Sequence, residues 1–356
     1  MAQIPLFTDV TTRHQVYLER LKTQYQKEFE PFALAIAADI KQRLSGEEVT
    51  DWSRRKLSAQ LIAIGNMIDS TYSDWYQVWL ENLEEFVVYE AGFEERALNE
   101  FIDYDFTSPA QSQLIGAMMS APLQVQGPDG GKLLEPFFAG YTQKTKDRIE
   151  AAVKVGFAQG QSNSEIRKAI LGTKTETGAL DLSVRDANLV TRTAVQSVAG
   201  TARQELYKAN IDVIIGYRWI ATIDSRTSVQ CRSLDRQVFR LGKGPLPPIH
   251  IGCRSSTVPE VDGRFKHLKK GATRPARGDD GVELVPQSKT YYQFLKEQDA
   301  DFVESVLGPT RAKLLLDGGL SAGRFADLQL NKKFEPLTLE QMKQLEPLAF
   351  KRAGLD

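Results

Sequence analysis

The stretch Ile214-Ile-Gly-Tyr-Arg-Trp-Ile-Ala-Thr222 departs from everything that precedes it. Upstream, apolar residues recur at three- and four-residue steps, the spacing of one helix face. Here β-branched and aromatic residues take over at the two-residue period of a strand. Gln237-Val-Phe-Arg-Leu241 is a second short strand candidate, closed by a Gly-Lys-Gly-Pro-Leu-Pro-Pro loop. The expected fold class is therefore mainly α, with a small α+β element over about residues 211–260 on an elongated, multi-segment helical body.

Working back from this switch, Val184, Ala187, Val190, Ala194, Val198, Ala202 and Leu206 form a narrow, small-residue face on a long helix expected to start at Ser183. Ser162-Asn-Ser-Glu165 is a capping box opening a short helix to Leu171, and Leu133 to Gly160 reads as helix. Pro109, Pro122, Gly127, Pro128 and the Asp129-Gly-Gly turn mark a loose boundary near residues 125–130. Earlier, Tyr17, Leu21, Tyr25, Phe29, Phe32, Ile36, Ile40 and Leu44 suggest one helix stripe, kinked at Pro31 and stopped at Gly46. A second helix opens at Thr50-Asp51, with Leu57, Leu61, Ile64, Ile68, Trp75 and Trp79 on one face.

Working forward, Lys266 to Gln287 is rich in Lys, Arg, Gly and Pro and reads as a mobile loop or extended arm. Short helices are expected at Tyr291–Leu307, Arg311–Leu316 and Leu339–Leu345, in a region with little visible core of its own. These boundaries give three segments: residues 1–125, 126–265 and 266–356.

A chain of 356 residues, 42% hydrophobic and 26% charged, has ample material for a buried core. It shows no apolar run long enough to span a bilayer and no secretion signal, so assembly in a cytosol is expected. The net charge of −1 conceals an asymmetry. Glu81 to Asp105 holds nine acidic residues and one basic, whereas Arg232 to Arg277 holds eleven basic and three acidic. Such blocks can pair with each other, act as solvated faces, or meet different partners, the basic one suiting phosphate backbones. Lys266, Lys269, Lys270, Arg274 and Arg277 are the candidate phosphate contacts.

Both cysteines, Cys231 and Cys253, lie within 23 residues of each other, with His250 between them. Three such donors can fill three corners of a tetrahedral zinc site, with Asp224, Asp235 or water as the fourth, because Ser228 stands where a Cys-x-x-Cys knuckle needs its first thiol. The same residues admit a metal-dependent nuclease, with His250 as general base, or a thiol nucleophile pair. No glycine-rich phosphate loop, paired-histidine helix or Gly-x-Ser-x-Gly turn supports hydrolysis elsewhere in the sequence. A third reading is a fold staple. Here Asp224 caps a helix beginning at Arg226-Thr227, Arg254 grips a carboxylate or phosphate bidentately, and the Pro-Pro turn returns Cys253 to Cys231.

Arg192-Thr193 with Gln196, Glu205-Leu-Tyr-Lys-Ala-Asn210, Gly216-Tyr-Arg-Trp219, Asp224-Ser-Arg226-Thr227, Cys231, Leu234-Asp235 and Pro248-x-His250-x-x-Cys253-Arg254-Ser255 together resemble the phage head morphogenesis family, the Mu F-type minor head proteins of tailed bacteriophages. The resemblance is strongest over about residues 137–260. Many members carry Glu where this chain has Ala194, and Cys where it has Ser228. The resemblance implies a non-enzymatic virion component in the head near the portal vertex, assembled in the host cytoplasm and acting in head assembly, DNA packaging or genome delivery. Its implied partners are the portal protein, other head, scaffold or capsid proteins, and packaged DNA held through non-specific phosphate contacts. The alternative is a toxin-like enzyme or nuclease built on the Cys/His cluster.

Overall fold

The computed structural model describes residues 7–102, 104–264 and 273–355. Helices dominate it, and the strands form small antiparallel sheets, as the pattern switch at Ile214 implies. Among the described residues, no helix is long and apolar enough to cross a membrane.

The N-terminal stripe is two helices, α1 (Phe7–Lys27) and α2 (Glu30–Arg43), rather than one kinked helix. Pro31 sits in the first turn of α2, where its missing N–H costs nothing and its fixed φ favours initiation. The stripe is buried from Tyr25 through Phe29, Ile36, Ile40 and Leu44, but Tyr17 is exposed and Leu18 is buried in its place. The rotation has a cause in the partner helices: the inward face of α1 is polar. It carries His14, Gln15 and Lys22, which meet buried polar groups on α3 and α7 described below.

The second helix begins later than Thr50, at α3 (Arg54–Phe101), with Ser53 capping the N–H of Lys56. At 48 residues it is ~72 Å long. After α4 (Gln111–Ser120) come α5 (Leu134–Gln159), stopped by Gly160 in the left-handed region, and α6 (Asn163–Leu171), which carries the expected Ser162/Glu165 capping box. The long helix before the sheet, α7 (Ala179–Ala209), starts four residues ahead of Ser183, with the Asp181 carboxylate accepting from the N–H of Gly178. Its small-residue face is buried against α3 and α5. One apolar cluster draws residues from α1 through α7, on both sides of residue 125. Its aromatic centre sets Trp75 against Phe29 at 4.4 Å and against Phe138 at 4.7 Å between ring centroids.

Beyond α7 lies a three-stranded antiparallel sheet in the order β2–β1–β3, built from β1 (Ile214–Ile220), β2 (Val238–Arg240) and β3 (Ser256–Val261). Helix α8 (Val229–Leu234) connects β1 to β2. Strand β3 was hidden in the sequence by Pro259 and a run of Ser and Thr; it is an edge strand, where a missing ladder donor is tolerated.

Two expectations for the C-terminal region fail. Residues 273–286 are not a free arm: β4 (Thr273–Gly278) and β5 (Gly281–Pro286) form a hairpin docked by a bridge between Ala276 and Ile223. The helices α9 (Tyr291–Leu295), α10 (Ala300–Leu307), α11 (Pro309–Asp317), α12 (Ala322–Asp327), α13 (Leu339–Leu345) and α14 (Pro347–Arg352) also have a core of their own. Tyr291, Tyr292, Phe294, Leu314, Phe325, Met342 and Phe350 meet there. Each short helix contributes only a few of these residues, so no long period advertises the core in sequence.

Candidate functional site

The cysteine–histidine window folds into a small knot between α7, α8 and the turn ahead of β3. Ser228 is the N-cap of α8, its Oγ accepting from the N–H of Cys231 at 3.3 Å. Asp224 does not cap the helix, contrary to expectation. It closes the preceding turn instead, its Oδ1 accepting from the N–H of Arg226 and the hydroxyl of Thr227, both at 3.1 Å. The serine standing where a knuckle cysteine would be is thus the residue that starts the helix carrying Cys231.

The facing turn brings His250 and Cys253 back through Gly252, whose φ of +71° is the left-handed conformation that glycine adopts without strain. Thr193 on α7 anchors this turn, its Oγ1 accepting from the N–H of Gly252 at 3.1 Å. Gly200 lets the preceding Pro247 carbonyl approach α7, because a Cβ at that position would stand 2.8 Å from the oxygen.

The result places Cys231 Sγ 3.3 Å from His250 Nε2 and 3.6 Å from Cys253 Sγ. His250 Nδ1 donates to the carbonyl of Ile251 at 2.9 Å, which turns Nε2 toward the sulfurs. Burial raises the Cys231 thiol well above its ordinary range, and the neighbouring Cys253 adds to the effect. Burial acts the same way on Cys253 but is outweighed by hydrogen bonds from Cys231 and His250 and by the imidazolium charge, so this thiol falls well below the usual range. On His250 burial works against the proton, and the contact with Cys253 more than offsets it, raising the pKa. A cavity of about 30 Å³, lined by Thr222, Thr227, Ser228 and Ser255 among others, opens against Cys231 and His250.

Two acidic residues brace the knot. Arg254 binds Asp224 bidentately at 2.6 and 2.7 Å, so the Asp224 carboxyl, raised by burial, is drawn below its ordinary pKa by the guanidinium. Asp235 is fully enclosed and accepts four hydrogen bonds: from the N–H of Ala221 at 2.9 Å, from the N–H of Tyr291 at 2.8 Å, and from Arg274 at 2.8 and 2.5 Å. Trp219, wholly buried on β1, belongs to the apolar cluster that holds Cys231 and Cys253, its backbone bonded to Gln237 and Arg236.

The polar residues of α7 have an equally definite role. Arg192 pairs with Glu19 on α1, and Gln196 accepts from buried Lys22 while donating to the Ser255 carbonyl, each at 2.7 Å. They clamp α1 and the cysteine turn onto one helix.

Of the candidate phosphate contacts, Arg274 is excluded. Its guanidinium is about 1% exposed and is held by Asp235 and the Lys289 carbonyl, leaving no face for a phosphate. Arg277 is exposed, and Lys266, Lys269 and Lys270 lie outside the described residues. Sequence reasoning missed Tyr291, which reaches both acidic braces by donating its hydroxyl to the Asp224 carbonyl at 2.6 Å and its N–H to Asp235. It also missed the inner part of the acidic block. Glu90 and Glu94 are buried against Arg203, and Glu90 also meets His14 Nε2 at 2.6 Å. The available signal was phase, since both glutamates share a helix face with Leu83, Val87, Ala91 and Leu98.

Residues 147–258, which include Arg192, Thr193, Trp219, both cysteines, His250 and Arg254, match the family model of phage Mu protein F like proteins. The chain carries a Mu F-type head morphogenesis domain. No curated protein and no solved structure matches it significantly. Measured on the structure, the Mu F-type match runs from within α5 to within β3, so it contains the whole Cys/His knot. Two of the groups that hold this domain together come from outside the match: α1, through Glu19 and Lys22, and the C-terminal unit, through Arg274 and Tyr291.

Proposed function

We propose that the chain is a non-enzymatic minor head protein that joins the portal vertex in the virion and acts in head assembly, DNA packaging or genome delivery. The match over residues 147–258 carries this reading. The geometry supports it because the polar residues of the motif serve as braces. Asp224 and Asp235 are each held by an arginine, both sulfurs are buried, and the cavity beside them is small, about 30 Å³. The nuclease or toxin-like alternative gains no support from such a site.

The portal protein and other head, scaffold or capsid proteins are the proposed partners. Packaged DNA is the proposed partner of Lys266, Lys269, Lys270 and Arg277, through phosphates alone. Mass spectrometry of purified virions should find the chain at low copy relative to the main capsid protein, and it should co-purify with the portal when the two are co-expressed. Absence from both virions and proheads refutes the assignment. Neutralising the four basic residues together should lower the salt slope of DNA binding by roughly 0.9 per lost phosphate contact. An unchanged slope removes DNA from the proposal and leaves the head assignment standing.

A further inference from the structure

We propose that Cys231, Cys253 and His250 hold one zinc ion, with a water molecule in the adjoining cavity as its fourth ligand. The donor atoms of the three residues all lie within 4.8 Å of one another, and among the described residues they are the one such group. Tetrahedral zinc, with bonds of about 2.3 Å to sulfur and about 2.0–2.1 Å to nitrogen, needs donors about 3.8 Å apart for a sulfur pair and about 3.6 Å for sulfur and nitrogen. The Cys231–Cys253 and Cys231–His250 separations of 3.6 Å and 3.3 Å require those two pairs to spread by only a few tenths of an ångström, and His250 and Cys253 lie within 4.8 Å of each other.

Three further features fit a metal better than a packing contact. The Nδ1–H of His250 is committed to the Ile251 carbonyl, the outer hydrogen bond that fixes a ligating imidazole and leaves Nε2 for the ion. Each sulfur is carried on a separately anchored segment, Cys231 through the Ser228 cap and Cys253 through the turn fastened to Thr193, so the cage is preformed. The fourth corner is not a carboxylate, because Asp224 and Asp235 are both spent on arginines, while the cavity that opens against Cys231 and His250 also has Thr222, Thr227 and Ser228 in its lining. Binding displaces two protons to solvent, the Cys231 thiol proton and the one held between Cys253 and His250, and ties α8 to the turn ahead of β3. Both lie inside the matched region.

Metal analysis of the full-length chain, purified under reducing conditions, should find about one zinc per chain. Cobalt substituted for zinc should give a thiolate-to-cobalt charge-transfer band. Cys231→Ser, Cys253→Ser and His250→Ala should each weaken uptake by roughly tenfold or more, whereas Gly116→Ala, remote on α4, should keep the metal. The wild-type titration stands even where a variant fails to fold. A folded, reduced wild-type chain that takes up no zinc overturns the proposal. So does a Cys231–Cys253 disulfide in protein never exposed to oxidant, or a folded ligand variant that binds as tightly as wild type.

Discussion

Asp235→Ala should release the C-terminal unit from the Mu F-type domain. The carboxylate is enclosed and compensates Arg274, itself about 1% exposed, so truncation leaves a guanidinium charge in the interior. Breaking a buried pair from one side costs about 3–5 kcal/mol. The N–H groups of Ala221 and Tyr291 also lose their acceptor, adding about 1 kcal/mol each where water does not reach them. A loss near 5 kcal/mol is more than a thousandfold in an equilibrium constant. It falls on the junction where β1, β4 and α9 meet, so the C-terminal core should open before the helical body. Hydrogen exchange resolved by peptide is the assay: residues 273–295 should lose protection by orders of magnitude, with α3 and α7 little changed. Arg274→Leu added to Asp235→Ala removes both charges, and the double variant should be less damaged than the sum of the singles by about 2 kcal/mol. A single-variant cost below about 1 kcal/mol, or strict additivity in the cycle, refutes the argument that Asp235 joins the two units.

Acid stability should depend on Asp224. Its folded pKa lies below the unfolded value, so its pairing with Arg254 stabilises fully above the unfolded pKa of about 3.9 and is lost as pH falls through the folded pKa; Asp224→Asn should flatten that acid limb in denaturation midpoints measured against pH, and an unaltered limb counts against the pair. Gly200→Ala should destabilise despite the better helix propensity of alanine, since the added Cβ meets the Pro247 carbonyl at 2.8 Å and overpacking costs about 1–3 kcal/mol. Gly116→Ala on α4, where nothing lies within 4 Å, should stabilise by about 0.5–1 kcal/mol. Thermal melts that move both variants the same way would count against the close approach at Gly200.

The sequence by itself determined the period of each long element, and with it the fold class. The 3.6-residue recurrence of α5 and α7, the Ser162/Glu165 box and the change of period at Ile214 are local facts, written within a few residues of where they act. It also grouped Cys231, His250 and Cys253, because scarce residue types close along the chain are visible without coordinates. Tertiary structure alone decided what the charged residues do. Arg274 looked like part of a basic arm and is a buried counterion; Glu90 and Glu94 belong to an acidic block that the sequence leaves open between internal pairing, a solvated face and a partner contact, and they are the interior partners of Arg203. Charge runs do not state which face they occupy, and a buried charge is tolerated only where a partner from a distant segment meets it. The C-terminal core eluded sequence reading for a related reason: its parts are short helices whose apolar residues converge only after the chain has turned on itself, and Asp235, from the middle of the sequence, holds that unit in place.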